Sequence, residues 1–271
     1  MNVKVRLVKK VQSSLVAGIL ALASPGCLAQ AGADICIIPS EHAGIAFPVQ
    51  QVAEDWACRL QFVIDHYTTA TSVGPLKTAM DEAVYLHLLD HPPVAAALIN
   101  RLDLAEYKAE TRGPGRWWAN DGEGSEGMVH LVYHDRNTRI YYLEGTHRSR
   151  LLPNLSGKAV VFLRMGAVQE PSGLGAMQST MVAYTMLDNR FLSGLASLLR
   201  PLVGATVTRK LAKGVEVVNR LGIEMRQRPE RVLFEATDPP PLDDEEVAFL
   251  KAALGAGAHV PVTDRSGRAT P

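Results

Sequence analysis

The sequence predicts an α+β protein in which an antiparallel sheet of about six or seven strands is closed by a long C-terminal helix, with an N-terminal extension ahead of the sheet. Three observations predict it. Two β-like runs, KAVVFLRMGAV at 158–168 and MQSTMVAYTML at 177–187, are joined by Pro171, Ser172 and Gly173, which supply turn chemistry. Upstream, AEYKAET, RWWAN, EGMVHLVYHD and RIYYLEGT read as four further strands divided by RGPG, DGEGS and DRNT. Short connections of this kind join antiparallel neighbours. Downstream, Phe191, Leu192, Leu195, Leu198, Leu199 and Leu202, then Val207, Leu211, Val215, Val218 and Leu221, recur at intervals of three and four, with Arg209, Lys210, Lys213 and Arg220 on the opposite side.

Taken in order, the first 29 residues resemble an export signal: Lys4, Arg6, Lys9 and Lys10 precede the short apolar run LVAGILALA, and small residues follow. Cleavage after Ala29 or Ala31 gives a periplasmic or secreted protein; the rival reading makes Cys27 of SPGC a lipid attachment point. Residues 30–61 read as an extension packed on the main domain, 62–234 as that domain, and 235–271 as a proline-rich, largely disordered tail. Cys36 and Cys58 either pair in an oxidising compartment or are two buried thiols. CRLQFVIDHYTTATSVG has strand-like content, with helix open for its first half. Met80 to Leu102 carries two short helices parted by Pro92 and Pro93. Asp188 or Asn189 can cap the long helix, and Pro201 should kink or divide it. VAFLKAALGAG adds a helical turn or two after DPPPLDDEE.

Composition excludes some functions. Lys plus Arg and Asp plus Glu are 28 each, and the pI of about 7.1 lacks the basic surplus of a nucleic-acid binder. No zinc ribbon, redox CxxC, GxSxG, P-loop or dinucleotide fingerprint occurs, so no catalytic residue, cofactor or metal is assigned.

One strand, two short helices, a six-strand meander and a closing helix form an order that resembles the START-like, or helix-grip (SRPBCC), superfamily. The resemblance is carried by VYLHLLDHPPVAAALINRL, GMVHLVYHDRNTRIYYLEG and LDNRFLSGLASLLRPLVGATVTRKLAKGVEVVNRL, and covers about residues 62–228. It implies a curved sheet wrapped round the long helix, with an apolar cavity that holds lipids, sterols, polyketides or aromatic compounds. It brings no universal catalytic motif to carry over.

Within that expectation Tyr142, Phe162, Leu163, Met165 and Met181 are candidate walls for a hydrophobic ligand, or ordinary core. Glu144, in a strand interior, is the carboxylate to watch: buried, it would hold a raised pKa and act as acid or base with His130 or Tyr142; otherwise it faces solvent. His130 and His134 share a strand face at roughly 13 Å, too far to chelate one ion. His87 and His91 stand four apart on a helix, a spacing that suits one metal, but Leu88 occupies the place where the zincin pattern needs Glu. A capping or surface role is therefore the favoured reading for them. THRSR could meet a phosphate head group through Arg148 or Arg150, making a peripheral membrane contact, or be a wet loop. The expected protein is a non-catalytic carrier of a lipid or other hydrophobic small molecule. A hydrolase or cyclase in the same cavity, or an envelope scaffold with a filled interior, are the alternatives.

Overall fold

In the computed structural model the described residues are 36–148, 154–188 and 196–257, with 196–200 and 256–257 described by their backbone alone. The expected signal, Cys27, Arg150, Asn189 and the apolar positions from Phe191 to Leu195 lie outside them, as do the last residues from 258.

Nine strands and six α-helices are described. β1 (Glu41–His42) and β2 (Ile45–Ala46) form a small hairpin, followed by α1 (Glu54–Asp65) and β3 (Thr69–Thr78). Next come α2 (Glu82–Asp90), α3 (Pro92–Arg101), β4 (Lys108–Gly113), β5 (Arg116–Asn120), β6 (Ser125–His134) and β7 (Thr138–His147). β8 (Leu155–Gln169), β9 (Gly175–Leu187), α4 (Ala196–Gln227), α5 (Pro229–Thr237) and α6 (Asp244–Gly257) complete the chain. β3 to β9 make one seven-stranded antiparallel sheet in the order β3-β9-β8-β7-β6-β5-β4. The protein is thus α+β, a seven-stranded antiparallel sheet with a long C-terminal helix, as expected and consistent with a helix grip.

The ambiguous stretch before the first sheet strand resolves into both candidates: α1 ends at Asp65 and β3 begins at Thr69. Ala57, Leu60, Val63 and Ile64 recur at helical spacing and are buried, while Glu54 and Asp55 sit favourably in the first turn, where the helix dipole is positive. Pro201 neither ends nor divides α4, which runs through it. It lies only one turn and a half from the N-terminus, so few helical bonds precede it.

Contacts divide the chain into two compact units, and β3, β6, β8, β9 and α4 each contribute residues to both. The first comprises 36–74, 127–164 and 180–211 of the described chain. Its core joins Phe47, Leu60, Val63 and Ile64 to Ile140, Tyr142, Val160, Phe162 and Val182. Cys36 and Cys58 form a disulfide with Cα atoms 4.9 Å apart, settling the open alternative and tying the extension to α1. At Gly127 a Cβ would stand 2.2 Å from the Glu144 carbonyl, so only glycine fits where β6 pairs closely with β7.

The second unit comprises 75–126, 165–179 and 212–257. At Gly222 a Cβ would meet the Ala79 carbonyl at 2.4 Å, so its absence lets α4 come against the start of the β3–α2 connection. There Ala79 N–H donates to Asn219 Oδ1 at 2.9 Å. Of the two adjoining tryptophans, Trp117 is buried and Trp118 half-buried, as alternation on a strand requires. The segment expected as a disordered tail is ordered as far as residue 257. Arg101, at the end of α3, donates to the Glu235, Asp238 and Pro240 carbonyls, holding the proline run after α5. α6 then buries Val247, Leu250 and Leu254 on one stripe. That stripe falls within VAFLKAALGAG, expected as a helical turn or two; the helix also takes in Asp244, Glu245 and Glu246 from the stretch expected as an acidic linker.

Candidate functional site

The register of β7 with β8 sorts the expected wall residues. Ile140 pairs with Phe162 and Tyr142 with Val160, without a break from Thr138↔Arg164 to His147↔Leu155. Even-numbered positions therefore share one face, and odd-numbered positions the other.

The even face is closed at its centre, though Glu144 and Arg164 toward its ends are exposed. Ile140, Val160 and Phe162 are wholly buried and Tyr142 nearly so. Its cover is α1 and the extension: the Phe162 ring stacks on His42 at 4.1 Å, and lies 5.0 Å from Phe47 and 6.2 Å edge-on from Tyr184. Trp56 of α1 sits 5.4 Å from the Tyr142 ring and 5.1 Å from His130. Burial pushes the His42 imidazole down to about 4, against a backbone hydrogen bond at Pro39 that works the other way.

Tyr142 donates from its hydroxyl to Glu144 Oε1 at 2.6 Å, and Lys158 Nζ stands 3.5 Å from the same oxygen. Burial, then the hydrogen bond to Glu144, hold the Tyr142 phenol well above its usual value. The Tyr142 hydroxyl holds the Glu144 carboxyl below its usual value, with Lys158 adding to it and burial opposing. The raised pKa considered for Glu144 is thereby corrected: it is an exposed, ionised carboxylate at the edge of the aromatic cluster, the solvent-facing alternative.

Leu163 and Met165 project from the opposite, odd face of β8, and Met181 projects from the corresponding face of β9. The six expected residues thus do not line one surface: Tyr142, Glu144 and Phe162 stand on one side and Leu163, Met165 and Met181 on the other. On the odd side in the first unit, α4 packs Val203 and Val207 against Leu155 and Leu187. Tyr141 and Leu143 of β7, Val161 of β8 and Met181 of β9 stay half-buried on that side. Leu163, also on that side, is buried, so the solvent access is confined to part of the face. Tyr141, Leu143 and Val161 were missed as candidates; only the strand pairing, which the sequence leaves open, puts them on the same side of the sheet as Met181.

A second cluster lies in the other unit. His87 on α2 and His91, which closes α2 and precedes α3, meet Glu246 in the first turn of α6. His87 Nε2 is 2.6 Å from Glu246 Oε2, His91 Nδ1 is 3.2 Å from Oε1, and the two ring nitrogens are 3.0 Å apart. The His87 ring stacks on Phe249 at 3.7 Å. His91 does end a helix, as expected, with its N–H donating to the His87 carbonyl. The partner that gives the pair a further meaning, Glu246, was invisible at 159 residues' distance. Arg148 is exposed.

No protein-family model matches the chain, and no curated protein is similar to it in sequence. Among solved structures, one similar chain is a point mutant of norcoclaurine synthase from Thalictrum flavum in complex with a transition-state analogue. It is 13% identical, with a TM-score of 0.34, covering 58% of this chain and 96% of that one. Another is an uncharacterized protein from Rhizobium leguminosarum, 16% identical with a TM-score of 0.28, covering 56% of this chain and 97% of that one. Scores of this size carry no argument about fold or function; the class rests on the strand order and the helix that follows it.

Proposed function

We propose that the protein is an exported bacterial carrier of a lipid or other hydrophobic small molecule, held against the odd face of β7, β8 and β9 in the first unit. The observation that carries this reading is the contrast between two faces of the same strands. Ile140, Tyr142, Val160 and Phe162 are sealed, while on the other face Leu155, Leu163 and Leu187 are buried but Tyr141, Leu143, Val161 and Met181 stay half-buried. Leaving four apolar side chains partly wet forgoes burial worth about 25 cal/mol per Å², which a bound apolar molecule recovers. Export is supported by the charged and apolar pattern of residues 1–29, and by the Cys36–Cys58 disulfide, a cross-link of oxidising compartments. No helix among the described residues is long and apolar enough to cross a membrane. The hydrolase or cyclase alternative looked to Glu144 for a raised pKa, whereas its carboxyl is exposed and held below its usual value by the Tyr142 hydroxyl.

The test is solvent extraction of the purified protein followed by mass spectrometry, on wild type, Val161→Trp and Glu144→Gln. Roughly stoichiometric lipid is expected in wild type and Glu144→Gln, and its loss in Val161→Trp with the circular dichroism spectrum retained. Absence of any co-purifying apolar molecule, or equal retention in Val161→Trp, would overturn the proposal.

A further inference from the structure

We propose that His87, His91 and Glu246 form a binding site for a divalent first-row transition ion, zinc foremost, which ties the start of α6 to the α2–α3 junction. The chemistry of the donor set is the first argument. Two imidazoles and one carboxylate are a known zinc set, with water in a fourth position. Three such ligands, each about 2.0–2.2 Å from the ion, lie about 3.3 Å from one another. Of the three separations of 2.6, 3.2 and 3.0 Å, the His87–Glu246 edge needs to open by about 0.7 Å and the other two by about 0.3 Å or less.

Proton bookkeeping is the second argument. His87 Nε2 touches both Glu246 Oε2 and His91 Nδ1, and His91 Nδ1 touches both His87 Nε2 and Glu246 Oε1. A ring nitrogen either carries a hydrogen or offers a lone pair. If both nitrogens carry hydrogens, each can donate to the carboxylate, but the two N–H groups then face each other at 3.0 Å. If only His87 Nε2 carries one, the lone pair of His91 Nδ1 faces an ionised carboxylate oxygen. If only His91 Nδ1 does, the lone pair of His87 Nε2 faces Oε2 at 2.6 Å. Unless the carboxylate itself carries a proton, no assignment makes all three contacts favourable. A cation at their centre does, by accepting three lone pairs at once and displacing the protons.

The supports are third. His87 and His91 are one helical turn apart at the end of α2, and Pro92 begins α3 directly after, fixing the backbone of the second ligand. The His87 ring is held flat against Phe249, itself one turn beyond Glu246 on α6. The His87 and Glu246 side chains are only 16% and 12% exposed, whereas His91 is 45% exposed, so the ion would enter from the His91 side and keep its open position there.

The experiment uses the full chain, stripped with a chelator and titrated with zinc by calorimetry and with cobalt(II) by visible absorption. Wild type, His91→Ala, Glu246→Gln and the control His134→Ala are compared. One equivalent of zinc is expected to bind wild type and His134→Ala and to raise their melting temperature. Affinity should fall by more than roughly 100-fold in His91→Ala and Glu246→Gln, more than outer-shell changes cost. The cobalt form should show the intense bands of low coordination without a sulfur charge-transfer band. No stoichiometric binding to wild type, or equal binding by His91→Ala, would overturn the site. His91 is half exposed, so that variant decides the matter even if Glu246→Gln fails to fold.

Discussion

The two faces of the β7–β8 pair share a backbone and an uninterrupted register, yet they are finished differently. On the even face, Phe162, Val160 and Ile140 are wholly buried under residues that precede the sheet in the chain, among them Phe47, Leu60 and Val63. On the odd face, Tyr141, Leu143 and Val161 keep partial access although they are as apolar. Alternation makes a strand two-faced; what covers each face decides whether it is core or binding surface. Here an N-terminal segment pinned by a disulfide makes the even face core.

The largest effect expected on that contrast comes from Phe162→Ala, which should lower unfolding free energy in urea by about 3–5 kcal/mol, because it empties a site packed by His42, Phe47 and Tyr184. Val161→Ala, its neighbour on the other face, should cost far less; equal losses would erase the distinction. Replacing both Cys36 and Cys58 by Ser should cost about 3 kcal/mol, from a cross-link spanning 22 residues, read as a lower midpoint in the same titration.

His42 adds a pH test of the sealed face. Its folded pKa of about 4 lies below the unfolded value of 6.5, so the fold accepts the neutral ring and resists the charged one. The associated stability is complete above pH 6.5, declines as pH falls below it, and is gone by about pH 4, on the order of 3 kcal/mol in all. His42→Phe should flatten stability across that window; an unchanged slope there would mean that the ring is not sealed.

Tyr142→Phe is expected to cost about 1 kcal/mol through one lost hydrogen bond. It should also let the Glu144 pKa rise toward its ordinary value, visible in a carbon-detected NMR titration, since the hydroxyl is the main group depressing it. The smallest stability change should come from Val161→Phe on the half-open face, within about 1 kcal/mol of wild type, while co-purifying lipid drops. A large destabilisation would mean that Val161 is already packed as core.

Much of the sheet was legible beforehand because strands advertise themselves locally. RWWAN became β5 as read, and RIYYLEGT became β7 with one residue added at each end. The pair of helices around Pro92 was equally plain, since proline stops one helix and starts another. The site was less legible. Phe162 and Leu163 are adjacent and similarly apolar, so nothing in their own letters says which one meets the N-terminal segment. The full extent of α6 was hidden in part: VAFLKAALGAG reads as a helical turn or two, but the acid-rich residues before it read as linker, although Glu245 and Glu246 suit a helix start.

By itself the sequence determined the α+β class, the run of strands and helices and the alternation that gives each strand two faces, because these follow from the steric and hydrogen-bonding preferences of neighbouring residues. Only the tertiary structure decided which face is sealed, that Cys36 joins Cys58, that Glu144 is paired to Tyr142 and kept ionised, and that Glu246 comes to the His87–His91 turn. Each of those is a meeting of side chains whose partners are set by how elements pack, and packing is a property of the whole chain.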